Sequence, residues 1–204
     1  MTQNPSWMKA HGPPWRRGAM RVAYDNPWIQ VTEHEAVAPT GRDALYGVVG
    51  FKNLALAILP VHEDGSVTLV GQHRFPLADY SWEIPEGGGP VGQDPLGNAQ
   101  RELREEAGLE AAWWEQILAM QLSNSVTDEQ AIGYLATELS PAAGMAHADD
   151  TELLAIVRVP FRDALAAAVR GEMRDALTVA MLLRGYHMAQ EGALPRALAR
   201  AMLD

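Results

Sequence analysis

The sequence predicts an α/β fold, and three observations carry that expectation. Short apolar or alternating runs of strand length recur through the first two thirds of the chain, helix-period segments fill the end, and one well-punctuated helix interrupts the strands near the middle. The 204 residues, 48% hydrophobic, suit one substantial domain, with or without a small extra sheet.

Taken in order, positions up to Arg21 are polar, bear Pro and Trp, and show no period, which predicts a loose tail. Residues 28–36 alternate weakly, Pro39-Thr40-Gly41 is a turn signal, and 44–51 reads as the second strand of a hairpin. Residues 54–61 form an apolar run that fits a buried strand. Glu63-Asp64-Gly65 turns the chain into its partner, 66–73. After the central helix, 114–122 and 131–139 read as strands. A loop over 141–150 leads to a strand over 152–159, and helices follow over 161–170, 176–190 and 194–202. The organisation expected is a tail and small antiparallel sheet over 1–50 and a main domain over 51–204.

The central helix is marked by Asp94 as N-cap, Pro95 in its first turn and Gly108 just past its end. Leu96, Ala99, Leu103 and Ala107 make its apolar stripe. The adjoining face carries Glu102, Glu105 and Glu106, separated by three and four residues. Like charges at that spacing destabilise a bare helix, so a positive partner is required. Hard divalent cations bind carboxylate oxygens and share their remaining positions with water and substrate phosphates. The glycine-rich stretch 86–90 ahead of the helix predicts a loop in which backbone comes close to a ligand.

Composition narrows the chemistry. A formal net charge of −10 argues against an electrostatic grip on nucleic acid or an anionic membrane. The absence of cysteine excludes disulfides, thiol catalysis and cysteine zinc sites. The six histidines show no metal-ligand spacing, and Ser123 and Ser125 lack a Gly-x-Ser-x-Gly elbow. Residues 1–14 hold no apolar core of signal-peptide type, and no apolar run reaches membrane-spanning length; a soluble cytoplasmic enzyme is the expectation.

The run from Gly87 to Leu109 resembles the Nudix box: Gly, five residues, Glu, seven residues, Arg-Glu-aliphatic-any-Glu-Glu-any-Gly-aliphatic. Every fixed position matches except one, where Gln93 stands in place of the first Glu. Gln72-His73-Arg74-Phe75, Trp82-Glu83-Ile84-Pro85 and the stretch from Gly171 to Thr178 resemble the ADP-ribose and nucleotide-sugar pyrophosphatase branch of that family.

The resemblance implies an α/β/α sandwich with a mixed sheet, and hydrolysis of the pyrophosphate bond of ADP-ribose or a related nucleoside diphosphate sugar. It implies Mg²⁺ or Mn²⁺ held by Glu102, Glu105, Glu106 and the backbone carbonyl of Glu86. Arg101 would tie the helix to the loop through the position of Gln93, which keeps an acceptor but loses the charge-assisted component. Arg74 would contact substrate phosphate, a role its planar fork suits.

A general base is expected outside the box, with Glu152 first choice over Asp149 and Asp150; each is equally a solvated loop acid. Glu129, in a loop ending Asp-Glu, is a substrate-side candidate or a turn acid. Tyr24 and Trp28 are candidates for stacking a base, or for packing at an interface. The branch also implies a homodimer whose N-terminal sheet exchanges across the pair. Two other readings stay open: a hydrolase of dinucleoside polyphosphates or coenzyme A, and a nucleotide-sugar sensor without catalysis, supported only by Gln93.

Overall fold

In the computed structural model, residues 5–143 and 153–204 are described. They group into two compact units, Met1–Lys52 with Ser123–Asp128, and Asn53–Leu122 with Glu129–Asp204. The first unit is a three-stranded antiparallel sheet of β1 (Arg16–Asp25), β2 (Ile29–Val37) and β3 (Asp43–Phe51), in sequence order. The expected hairpin is there, but the last six residues of the expected loose tail, 16–21, belong to strand β1. Its sequence hides it: every residue of β1 is exposed, so no buried face imposes a period of two.

The second unit holds two sheets and four helices. β4 (Asn53–Pro60), β7 (Glu86–Pro90), β8 (Leu109–Gln121) and β9 (Gln130–Pro141) form a sheet in the order β7-β4-β9-β8. It is mixed, since β4 and β9 run parallel while the other pairs are antiparallel. β5 (Ser66–Arg74), β6 (Asp79–Glu83) and β10 (Ala155–Pro160) form the other, in the order β10-β5-β6. The helices are α1 (Pro95–Ala107), α2 (Phe161–Val169), α3 (Ala176–Gln190) and α4 (Arg196–Leu203). Among the described residues, no helix is long and apolar enough to cross a membrane.

β4 explains why this is a sandwich. Leu56 and Ile58 point to one side and pack with Ala99, Leu103 and Ala107 of α1 and Tyr134 of β9. Ala57 and Leu59 point to the other side and join Phe161 of α2, Met181 and Leu182 of α3 and Met202 of α4. A strand covered on both faces is apolar at every position, which is why 54–61 reads as a continuous run.

Two strands of the second unit were not expected. β6 is only five residues long and carries the polar Asp79, Ser81 and Glu83. The glycine stretch 86–90 is strand β7, paired antiparallel with residues 53–57 of β4, rather than a loop. Glycine has low strand propensity, and here pairing with β4 overrides it.

Candidate active site

α1 begins and ends as its sequence requires. The Asp94 carboxylate accepts from the backbone N–H groups of Leu96 at 3.2 Å and Gly97 at 3.1 Å, and Gly108 takes a left-handed φ of 63°. The apolar stripe faces β4, which leaves the glutamates against β7. The backbone N–H of Glu86 donates to Glu106 Oε2 at 2.8 Å, and that of Gly88 donates to Glu102 Oε1 at 3.2 Å. A Cβ on Gly87 would occupy the space of the Glu102 carboxylate. The glycines thus let strand backbone and helix carboxylates meet directly.

Glu102 and Glu106 are buried, at 9% and 6% exposure, whereas Glu105 is half-buried. Arg101 supplies the positive partner that the acidic face requires. Its guanidinium donates to Glu102 Oε1 at 2.6 Å, to Glu105 Oε2 at 2.5 Å and to the Gly88 carbonyl at 3.1 Å. Arg101 is therefore tied to β7 through Gly88, not through Gln93 as expected; Gln93 is exposed in the turn before α1. Burial pushes the Glu102 carboxyl up from its ordinary value, while Arg101 pulls it down.

Beside this contact lies a cavity of about 320 Å³ lined by Arg74, Glu86, Gly87, Glu129 and Asp175, among others. Arg74, at the end of β5, is held by the buried Glu83 of β6 in a two-armed ion pair. Burial works most strongly against its charge, but Glu83, Glu86 and Glu106 together outweigh it, so its pKa is raised. Burial also pushes the Glu86 carboxyl well above the carboxylate range; Asp175 and Glu83 add to the rise and Arg74 opposes it. The Glu86 carboxylate accepts from Thr178 Oγ at 3.2 Å, and the same hydroxyl accepts from the Ile84 N–H at 3.0 Å.

Glu83, Asp175 and Thr178 are the members that sequence reasoning missed. Asp175 caps α3 by accepting from the Thr178 N–H at 2.7 Å. Both lie in the Gly171–Thr178 stretch, so an acid at an N-cap three residues ahead of a hydroxyl was the available signal. Of the expected residues, Glu86, Glu102, Glu105, Glu106, Arg101, Arg74 and Glu129 come together around α1, β7 and the cavity. Glu152, Asp149 and Asp150 lie outside the described residues. Trp28 belongs to the first unit, where the residue is 66% exposed and its backbone N–H donates to Asn26 Oδ1 at 2.9 Å. Tyr24, in the same unit, is also exposed.

The donor chemistry fits a hard divalent cation: carboxylate oxygens and a backbone carbonyl, two of the carboxylates desolvated, beside backbone that admits no Cβ. Among the described residues, no three His, Asp or Glu side chains converge as a ready-made metal site. On α1 the Glu102 and Glu105 carboxylates are both paired with Arg101, at 2.6 Å and 2.5 Å.

Fold and site define a hydrolase of the Nudix type, and the comparisons agree. A model of the NUDIX domain matches residues 52–179. An ADP-ribose pyrophosphatase of Bacillus subtilis is 36% identical over 150 residues, covering 74% of this chain and 80% of the relative. Another, of Mycobacterium tuberculosis, is 30% identical over 152 residues, covering 74% of this chain and 73% of the relative. A crystal structure of an ADP compounds hydrolase superposes with a TM-score of 0.78 at 17% identity, over 91% of this chain and 100% of that one. The chain belongs to the Nudix family, in the branch of the ADP-ribose pyrophosphatases.

Proposed function

We propose that this enzyme hydrolyses the pyrophosphate bond of ADP-ribose or a related nucleoside diphosphate sugar, giving a nucleoside monophosphate and a sugar phosphate. The observation that carries the proposal is the seating of Glu106 and Glu102 on the backbone N–H groups of Glu86 and Gly88, beside the cavity that Arg74 lines.

Glu102, Glu105, Glu106 and the Glu86 carbonyl would hold Mg²⁺ or Mn²⁺. When bound, the ions polarise phosphoryl oxygens and make water more acidic. Arg74 would bind the diphosphate: its fork is already charged, and Glu83 fixes its direction. Arg101 holds Glu102 and Glu105 in place and would yield the face of those carboxylates to the cation. Glu152 would take the proton of the attacking water as an O–P bond forms and the bridging P–O bond breaks, with the departing phosphate carrying the electron pair. Glu129 would meet substrate from the cavity wall, and the exposed face of Trp28 would stack the base. The reading extends to a cytoplasmic homodimer formed through the N-terminal sheet, for which sedimentation should give twice the chain mass.

The test is a substrate panel of ADP-ribose, GDP-mannose, UDP-glucose, coenzyme A and a dinucleoside polyphosphate, each with Mg²⁺ and with Mn²⁺. The expected result is the highest kcat/KM for ADP-ribose, with AMP and ribose 5-phosphate as products. A preference for coenzyme A or a dinucleoside polyphosphate would overturn it, as would tight binding without a phosphate product.

A further inference from the structure

The boundary between the two compact units falls on single peptide bonds at both ends of one loop. Ser123–Asp128 groups with the N-terminal sheet, while Leu122 and Glu129 group with the second unit. β8 and β9 pair as far as Gln121 opposite Gln130, and the Leu122 N–H donates to the Glu129 carbonyl at 3.0 Å. Glu129 therefore closes the base of the loop. It also lines the cavity of about 320 Å³, together with Arg74 and Glu86.

Within the first unit the end of this loop runs alongside β3. The Val49 N–H donates to the Val126 carbonyl at 2.9 Å and the Asp128 N–H donates to the Val49 carbonyl at 3.3 Å. Val49 and Thr127 form a parallel bridge. If the parallel ladder continued, its next rung would join the Phe51 N–H to the Asp128 carbonyl. A side chain makes that rung instead: the Phe51 N–H donates to Asp128 Oδ1 at 2.9 Å.

A side-chain rung suits the point where a chain leaves a sheet. The carboxylate keeps the Phe51 N–H satisfied while the backbone of Asp128 turns into β9. Glu129 is thus held from both sides. Asp128 ties the residue before it to β3, and Leu122 takes its own carbonyl. Without the Asp128 rung, the backbone ahead of Glu129 would regain rotational freedom, which a ligand meeting that side chain would have to remove on binding.

Resting on the proposed function, in which Glu129 meets substrate, we infer that Asp128 is a positioning residue for the reaction. Its carboxylate touches no substrate. It fixes the peptide that carries Glu129, so that this acid stands preset in the cavity wall. Substrate then binds without having to order Glu129, an advantage expressed in KM and not in kcat. The acceptor atom of Asp128 matters and its negative charge does not, because the partner is a neutral backbone N–H.

The test measures KM and kcat for ADP-ribose in Mg²⁺ with the wild type, Asp128→Ala, Asp128→Asn, Glu129→Ala and the double variant Asp128→Ala/Glu129→Ala. Asp128→Ala should raise KM about fivefold with kcat within about twofold, and Glu129→Ala should raise KM at least as far. Asp128→Asn keeps the acceptor and should stay within about twofold of the wild type. The double variant should match Glu129→Ala alone, since Asp128 then has nothing left to place. Effects on KM that multiply in the double variant would overturn the inference. So would an unchanged KM in Asp128→Ala, or an Asn variant as impaired as the Ala variant. Calorimetric titration of the α,β-methylene analogue of ADP-ribose, which has no cleavable P–O–P bridge, reads the same cycle as affinity in the Mg²⁺-loaded enzyme. An enzyme that shows this cycle in binding yet leaves ADP-ribose intact would overturn the proposed function alone.

Discussion

β4 and β1 are strands of similar length in opposite surroundings. β4 has neighbours on both edges and both faces, and five of its residues, 56–60, are buried. β1 pairs with β2 along one edge only, and all ten of its residues are exposed. Both are held in backbone ladders, β1 with two register shifts against β2, so being paired does not by itself distinguish them. What differs is how much apolar surface leaves water, and with it how much of the fold's stability each strand carries. The contrast places the stability of this chain in the layers around β4, and those same layers set α1 against β7.

Substitutions can break that contrast. Leu56→Ala in β4 opens a hole against α1 and should cost about 3 kcal/mol, read as a lower midpoint in urea unfolding. Thr178→Val removes the one hydroxyl that serves both the Ile84 N–H and the Glu86 carboxylate at a position with no exposure; the expected loss is about 2 kcal/mol, with Thr178→Ser retaining most of the stability. Val22→Thr on β1 should change stability by about 0.5 kcal/mol or less. If Val22→Thr proved as costly as Leu56→Ala, β1 would be covered in solution, and the contrast would describe the isolated chain alone.

A smaller effect comes from His62, beside the turn into β5. Burial first, and then Arg158, lower its pKa below 6.5, while Asp64 acts in the opposite sense; its ring meets Thr68 Oγ at 2.8 Å. The folded state keeps the ring neutral, so as pH falls through 6.5 the unfolded chain takes up the proton first. Stability from the neutral ring is complete above that pH and is lost as pH falls towards the lowered folded value. The Tm of the wild type should decline over that window, and His62→Gln should flatten this part of the profile. An unchanged profile in the variant would assign the decline to other groups.

What was legible in the sequence follows from the same contrast. The helix α1 could be read from Asp94, Pro95 and Gly108 because caps are local chemistry, and β4 from its unbroken apolar run because both faces are buried. The acidic face of Glu102, Glu105 and Glu106 was legible through helical spacing. β1 was not, since no burial gives it a pattern. β7 was not, because three glycines conceal a strand whose pairing is decided by β4. Glu83, Asp175 and Thr178 escaped notice for a further reason. Their contacts with Arg74 and Glu86 join segments up to 92 residues apart, and spacing along a chain does not report such pairs. The tie from Arg101 to Gly88 depends on β7 being a strand, so it too became visible only in three dimensions.

The account stands on carboxylates of α1, seated on the backbone of β7, capturing divalent ions for attack on a pyrophosphate. Its most direct test follows ADP-ribose hydrolysis in Mg²⁺, after addition of EDTA and after Mg²⁺ is restored, in the wild type and in Glu106→Gln. Chelation should cut the rate by on the order of a thousandfold, with recovery on re-addition, and Glu106→Gln should be similarly slow at a near-unchanged Tm. Undiminished hydrolysis in EDTA, or full activity in Glu106→Gln, would contradict it.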